Sequence, residues 1–313
     1  MIMKTAVVIP AYNEKLTIRD ALVDCHSVFP DAQLVVVDNN STDGTGDLAR
    51  STLAALGCDG VVFMEKQQGK ANAVRKAFHA IDADIYIMLD ADLTYPAKEV
   101  KKLIEPILKG SADMVVGDRI SGGHYERENK RLFHNFGNQL IAFLLNLLFH
   151  ADLHDIMSGA RVFSRAFVKN YPIMCSGFEI ETEMTLHALD KRFAIVEVPI
   201  VYKDRPAGSF SKLNTVGDGI RVIKTIFSLF KDYKPLVFFG GSAILFFLLG
   251  LASGMLPILE FVRFHYVYRV PLTILATGLM LVSLLCLTAG FILDTVVNFH
   301  RQTYELQLLR FPK

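Results

Sequence analysis

Two stretches near the end of this 313-residue chain carry no charged residue at all. They are Leu236 to Leu259 (LVFFGGSAILFFLLGLASGMLPIL) and Pro271 to Leu293 (PLTILATGLMLVSLLCLTAGFIL). Each exceeds the roughly 20 apolar residues that cross a bilayer's hydrocarbon core. Two such runs in succession are rare inside a water-soluble domain, so they are expected to form two membrane-spanning helices rather than core helices. Pro235 and Pro271 stand at the helix starts, where a missing backbone N–H costs little. Arg221, Lys224, Lys231 and Lys234 precede the first run, and Arg301, Arg310 and Lys313 follow the second. The positive-inside rule then places both termini in the cytoplasm, although Arg263 and Arg269 in the short connection pull the other way. The expectation is an integral protein of a cell (inner) or ER-type membrane, with its N-terminal part facing the cytoplasm.

That N-terminal part alternates strand and helix. TAVVIPAYNE, QLVVVDNNSTDGT, GVVFMEK, IYIMLDADLTYP, MVVGDR and FAIVEVPIVY read as strands, most of them running into polar turns. Leu16 to Val28, Asp47 to Leu56, QQGKANAVRKAFHAI and Lys98 to Leu108 suit helices between them. Continuous apolar strands in a βαβα rhythm imply an α/β fold with a mostly parallel sheet flanked by helices. Phe136 to His150 is strongly apolar and suits either a core helix or one lying in a membrane interface. Residues 1–214 are expected to form the α/β domain. Residues 215–234 would lead into the membrane as an amphipathic helix, and residues 235–313 would hold the two spans and a cytoplasmic tail. A net charge of +1 gives no global field to attract nucleic acid. Four scattered cysteines without a CxxC pair argue against a disulfide framework or a structural zinc site. The apolar start of the chain is short and reads as a first strand, not a signal peptide. The histidines have no metal-ligand spacing and read as surface or interface residues.

In parallel sheets of this kind, ligands bind beyond the carboxyl ends of the strands. Three strands end in acidic or amide residues: at Glu14, at Asp38 with Asn39 and Asn40, and at Asp90 with Asp92. The three clusters should meet along one edge. Asp90 and Asp92 flank the small Ala91, and in a tight turn their carboxylates converge on one cation. Hard divalent ions such as Mg²⁺ or Mn²⁺ take carboxylate and diphosphate oxygens together. A diphosphate leaving group needs such neutralisation.

AYNE (Ala11 to Glu14), VVDNNSTDGT (Val36 to Thr45), QGKANA (Gln68 to Ala73) and DADLTYP (Asp90 to Pro96) occur in this order. Together they resemble the nucleotide-sugar-binding half of family 2 glycosyltransferases, which have a GT-A fold. GDR (Gly117 to Arg119), SGAR (Ser158 to Arg161), GFEIETE (Gly177 to Glu183) and RPAGSFSKL (Arg205 to Leu213) resemble one branch. It comprises the polyprenyl-phosphate glycosyltransferases, including dolichyl-phosphate mannose synthase and the GtrB-like bacterial enzymes. The resemblance covers about residues 4 to 234, and the two spans fit the GtrB-like members. It implies that Pro10, Ala11, Tyr12 and Glu14 line the nucleotide-sugar pocket, with Asp38 at the base and Asn40 nearby. Gly69 and Lys70 would lie near base and ribose, and Asp90 and Ala91 against the donor. Asp90 and Asp92 would hold Mg²⁺ or Mn²⁺, with Asp92 the principal ligand. Two departures stand out. Asn39 and Asn40 replace the usual Asp and Gly, and Thr94 stands where a glutamine often follows the second aspartate.

The implied acceptor is a polyprenyl (undecaprenyl or dolichyl) phosphate in a lipid bilayer. Bringing its phosphate beside a diphosphate costs repulsion that guanidinium groups offset. By resemblance, Arg119, Arg131, Arg205, Ser209 and Lys212 hold that phosphate, and Asp90, Asp92 and Arg119 carry catalysis. Arg161 is a further candidate, or else braces Asp155 or the Glu179-to-Glu183 acidic run. Glu181 and Glu183 do not share a helix face, so at most one can look towards the sugar. The expected reaction is inverting transfer of one sugar, from a UDP-sugar in preference to GDP-mannose, by an enzyme whose relatives suggest a homo-oligomer. A processive polysaccharide synthase is the alternative within the superfamily, and a non-catalytic scaffold lies outside it. The chain has no tryptophan, hence no QxxRW motif, and only two spans, which counts against the first. Retention of the paired aspartates and the arginines counts against the second.

Overall fold

A computed structural model describes residues 3–121, 132–175, 177, 179–206, 227–228 and 231–308, with side chains from Asn138 onwards in the helix that opens the second segment. The chain divides into two compact units, residues 1–219 with 312–313 and residues 220–311.

In the first unit, β1 (Thr5–Ala11), β2 (Gln33–Asp38), β3 (Gly60–Met64) and β4 (Ile85–Met88) alternate with α1 (Ile18–Val28), α2 (Thr45–Leu56) and α3 (Lys70–Ala80). Leu34 to Val37 in β2 and Ala6 to Ile9 in β1 are wholly buried, as continuous apolar strands covered on both faces must be. The segment after β4 was expected to be one helix from Lys98 to Leu108. It is broken instead into α4 (Ala97–Val100), a tight turn at Lys101–Leu103 and α5 (Ile104–Leu108). Pro106 lacks the N–H that a continuous helix would give to the Lys102 carbonyl. β5 (Met114–Asp118) follows, and then α6 (Leu132–Phe149). This is the apolar helix of the two readings above. It buries Ile141, Ala142 and Leu145 while leaving Phe143 and Leu147 exposed. β6 (Arg161–Ser164), α7 (Arg165–Asn170), α8 (Ile180–Asp190) and β7 (Ile195–Pro199) complete the unit.

The sheet order is β3-β2-β1-β4-β6-β5-β7. Every pairing is parallel except those of β6, which runs against β4 and β5. The carboxyl ends of the six parallel strands therefore share one edge, and the amino end of β6 is delivered to that same edge. Arg161 lies opposite Met88 and Val116. The segment before it, Ser158 to Ala160, thus reaches the turn that holds Asp90.

In the second unit, α9 (Pro235–Phe264) and α10 (Val270–Leu308) pair along their length. With 30 and 39 residues they measure about 45 and 58 Å at ~1.5 Å per residue. Only 11% and 6% of their most apolar windows are buried. A core helix of a soluble domain is mostly buried, so these two are helices long and apolar enough to cross a membrane. Small residues let them approach. Gly250 packs on Met280 and Ala276, Gly290 on Phe239, and the Ser283 hydroxyl donates to the Ala243 carbonyl at 2.8 Å. The helix expected over residues 215–234 lies outside the described residues apart from 227–228 and 231–234.

Candidate active site

The loops after β1 and β2 are stitched together at the carboxyl edge. The Asn13 N–H donates to Ser41 Oγ at 3.0 Å, the Thr42 N–H to Asn13 Oδ1 at 2.8 Å, and the Glu14 N–H to Thr45 Oγ1 at 2.9 Å. Ala11 ends β1 directly beside Asp38, whose buried carboxylate accepts the Ser41 N–H at 3.0 Å. The first departure from the family pattern, at Asn39 and Asn40, acquires a physical reason here. Asn40 turns through left-handed backbone, φ 62, which asparagine tolerates almost as glycine does. Asn39 is buried, accepts the Gly69 N–H at 2.6 Å and donates to the Gln67 carbonyl at 2.6 Å. An aspartate could make the first bond but not the second. Gly69 itself, at φ 130, occupies backbone that a side chain would strain. Gln68 donates to the Tyr12 hydroxyl at 3.1 Å. Tyr12, Glu14, Asp38, Asn40 and Gly69 thus come from three loops to one edge, next to Pro10 and Ala11 of β1.

The turn after β4 carries the paired aspartates. Lys70, the first residue of α3, lies between two carboxylates, 2.5 Å from Asp90 Oδ1 and 2.6 Å from Glu181 Oε1. Burial opposes its charge, but Asp90 and Glu181 outweigh that and hold its pKa above the ordinary lysine value. Gly159, before β6, closes over this trio. A Cβ there would fall inside contact distance of Asp90 Oδ2 and 3.1 Å from the lysine nitrogen. The Gly159 N–H donates to the Tyr95 hydroxyl at 3.1 Å, and burial pushes that phenol up to about 12, so it stays protonated. The chain then passes through left-handed backbone at Leu93, φ 63, at a cost of about 1–2 kcal/mol. Asp92 is 3% exposed. Its Oδ1 accepts the Thr94 hydroxyl at 2.6 Å and the Thr94 N–H at 3.1 Å, and its Oδ2 meets Arg205 Nη2 at 2.6 Å. Thr94 therefore secures Asp92 in place of the glutamine the family often has.

Arg119 follows β5 and is buried. Asp155 takes its Nε at 2.7 Å, its Nη2 at 2.8 Å and its backbone N–H at 3.1 Å, and the guanidinium lies 5.7 Å from the Tyr202 ring centre. Arg161 is turned inward and hydrogen-bonds neither Asp155 nor the Glu179-to-Glu183 run, although the charges of Glu181 and Asp155 favour its own. It is fully buried, bonded to the carbonyls of Ser158 and Ile156 and to the Thr185 hydroxyl, and burial lowers its pKa. Glu181 and Glu183 part as helix geometry requires. Glu181 turns to Lys70, and Glu183 accepts the backbone N–H groups of Met174 and Cys175 at 2.9 Å each. Arg131, Ser209 and Lys212 lie outside the described residues.

A brace behind Arg119 had no signal in the sequence. Glu197 of β7 accepts the backbone N–H groups of His154 at 2.8 Å and Asp155 at 2.9 Å, and His154 Nδ1 lies 3.0 Å from the same carboxylate. Asp118, His154 and Glu197 bring ligand-type atoms within 4.8 Å of one another. Both carboxylates are committed to backbone N–H groups, those of Ile120 and Ser121 in the case of Asp118. The hydrogen bond that His154 donates to Glu197 raises the His154 pKa against a small desolvation penalty, helped by the charges of Glu197, Asp152 and Asp118. The stabilisation is therefore complete below the unfolded value of about 6.5 and is lost as pH rises through the raised folded value. Melting curves of Glu197→Gln and the parent chain should lie further apart near pH 6 than near pH 9, where only the loss of one acceptor for a backbone N–H remains. A gap that does not change with pH would show that the His154 charge contributes nothing.

The fold and edge define a GT-A transferase, and the comparisons agree. The family model for glycosyl transferase family 2 matches residues 6–171. Glycosyltransferase AglJ of Haloferax volcanii is 30% identical over 297 residues, 94% of this chain and 93% of its own. A dolichyl-phosphate hexose transferase of the same organism is 30% identical over 221 residues, 71% of this chain and 91% of its own. Glucosyl-3-phosphoglycerate synthase from Mycobacterium tuberculosis, crystallised with Mn²⁺ and UDP-glucose, superposes with a TM-score of 0.54 at 22% identity. That likeness, over 73% of this chain and 78% of that one, is one of fold. The chain belongs to glycosyltransferase family 2.

Proposed function

We propose that this glycosyltransferase moves one sugar from a nucleotide sugar, a UDP-sugar in preference, to a polyprenyl phosphate at the cytoplasmic face of a membrane. The observation that carries the reading is Asp92. It is a buried carboxylate at the carboxyl end of a parallel strand, and one oxygen already rests against a cation. A guanidinium there stands where a divalent ion would bind, and the hard oxygens of Asp92 and Asp90 suit Mg²⁺ or Mn²⁺. The Mn²⁺ and UDP-glucose bound by the fold neighbour, and the dolichyl phosphate in a relative's name, support the same reading. When bound, the ion supplies positive charge to the diphosphate leaving group.

The chain's own residues do the rest. The loops carrying Tyr12, Glu14, Asp38, Asn40 and Gly69 hold the nucleotide, and Ala91 leaves room for the donor. Lys70 and Glu181 fix Asp90 against the sugar. Asp155 fixes the plane of Arg119, which with Arg205, Arg131, Ser209 and Lys212 receives the acceptor phosphate. An oxygen of that phosphate attacks the anomeric carbon. The bond from that carbon to the diphosphate breaks, and the nucleoside diphosphate leaves with the electron pair. The products are an inverted sugar on polyprenyl phosphate and the nucleoside diphosphate. The nucleophile is already an anion, so no general base is required. Residues 1–214 act as the transferase domain, and residues 235–313 keep the chain in the membrane that dissolves the acceptor's tail.

The test uses full-length protein, undecaprenyl phosphate, Mn²⁺ or Mg²⁺ and a panel of labelled nucleotide sugars. Label should enter the lipid phase with one donor and stop doing so on chelation. Absence of a lipid product with every donor would remove the acceptor assignment, and the phosphate-binding roles of the arginines with it.

A further inference from the structure

We infer that Arg205 is an exchangeable cation: it holds Asp92 until a divalent ion takes that place, and the exchange hands its guanidinium to the acceptor phosphate. The inference rests on the proposed reaction and adds an order to it, donor with metal first and lipid phosphate second.

The two aspartates of the turn are each neutralised by a cation, but in different ways. Asp90 is held by Lys70, which is rooted in α3, 9% exposed and shared with Glu181. Removing that lysine would strand two carboxylates. Asp92 is held by Arg205, whose side chain is 30% exposed and lies on the irregular segment after β7. A guanidinium that leaves from there regains water, so the exchange costs little. The segment's root is fixed, because the Lys203 N–H donates to the Thr94 carbonyl at 2.9 Å. Arg205 therefore stays beside the turn when it lets go of the carboxylate.

Both oxygens of Asp92 are engaged. Oδ1 is committed to Thr94, and both of its bonds are local to the turn. Oδ2 has the partner that can be replaced. A divalent ion and a guanidinium repel each other, so they cannot share that oxygen. While Arg205 sits on Asp92, the Nη2 that faces the carboxylate is not available to an anion. Once displaced from Asp92, that group lies beside the diphosphate, where an incoming lipid phosphate needs a donor of positive charge. Arg205 is on this account a positioning residue whose partner depends on the metal.

The test measures Mn²⁺ binding to the full-length protein by the electron paramagnetic resonance of free Mn²⁺, with neither nucleotide nor lipid present. Arg205→Ala should bind Mn²⁺ at least about twofold to fivefold more tightly than the parent: an exposed pair alone provides that range, and here the carboxylate left behind is buried. Arg205→Lys, which keeps the charge, should stay close to the parent. Equal or weaker binding by Arg205→Ala overturns the exchange. Asp92→Asn separates metal binding from the exchange. If that variant binds Mn²⁺ as the parent does, the metal assignment itself fails and the exchange goes with it. If Asp92→Asn loses Mn²⁺ while Arg205→Ala gains nothing, only the exchange fails. The reciprocal measurement uses geranyl phosphate as the anion. Mn²⁺ with UDP should tighten its binding to the parent, and the same addition should give a smaller gain in Arg205→Ala. Equal gains in both proteins would contradict the transfer of Arg205 to the phosphate.

Discussion

Asp92→Asn is expected to lose about a thousandfold or more in transfer while keeping the fold. Asparagine preserves the oxygen that accepts both bonds from Thr94, so the left-handed turn at Leu93 keeps its local support. What disappears is the negative charge. The pair with Arg205 is lost, but that arginine is partly exposed, and such pairs contribute about 1 kcal/mol or less. The catalytic cost is of another size. Stabilising charge at a leaving group is worth on the order of 4 kcal/mol in the transition state. Label transfer into lipid, read beside a melting curve, checks both halves. Turnover within about tenfold of the parent would sink the assignment of Asp92 to the metal.

Lys70→Met is expected to act mainly on stability. Lys70 neutralises Asp90 and Glu181 at once, and Glu181 is 6% exposed. Removing the shared cation leaves two carboxylates side by side with little water. Breaking a buried pair in this way costs about 3–5 kcal/mol, and the partial exposure of Asp90 favours the lower end. For a domain of this size that lowers the melting temperature by roughly 6–12 °C. Arginine should rescue poorly, since Gly159 crowds the lysine nitrogen. Adding Asp90→Asn and Glu181→Gln to Lys70→Met should restore much of the loss by removing the stranded charges. A triple variant no more stable than the single one would show that Lys70 works by packing instead.

Much of this edge was legible in the sequence because its residues sit where strands stop. An apolar run that ends on Asp38 or Asp90 announces both the strand and its carboxyl end. The partners of those residues were less legible. Nothing in QGKANA and GFEIETE says that Lys70 and Glu181 share an ion pair, because the pairing is made by the fold bringing α3 and α8 together. β6 gave no strand signal. It has four residues, and the first is an arginine whose charge is satisfied by Ser158, Ile156 and Thr185. A buried arginine reads as surface until those acceptors are seen. The support of Arg119 by Asp155, and of Asp155 by Glu197, was hidden for the same reason. Single carboxylates with no characteristic spacing become a chain of braces only when β5 and β7 lie side by side. The break in the helix after Pro96 was readable, since Pro106 marks it.

The strand that runs backwards also sets a timetable. β6 stands between β4 and β5, although β5 precedes it in the chain. As the polypeptide leaves the ribosome, β1 to β4 can already pair among themselves, and the loops that hold Asp38 and Asp90 come with them. β5 has neither of its sheet neighbours until Arg161–Ser164 and then Ile195–Pro199 have been made. Until then β4 presents the apolar run IYIM as an unpaired edge, the kind of surface that chaperones cover and that aggregates form on. The half that carries Asp38 and Asp90 is thus paired early in synthesis, although Gly159, Glu181 and Arg205 reach its aspartates only later. The half that carries Arg119 waits for residues about eighty positions further on, and a nascent chain stalled between them would be half an enzyme with a sticky margin.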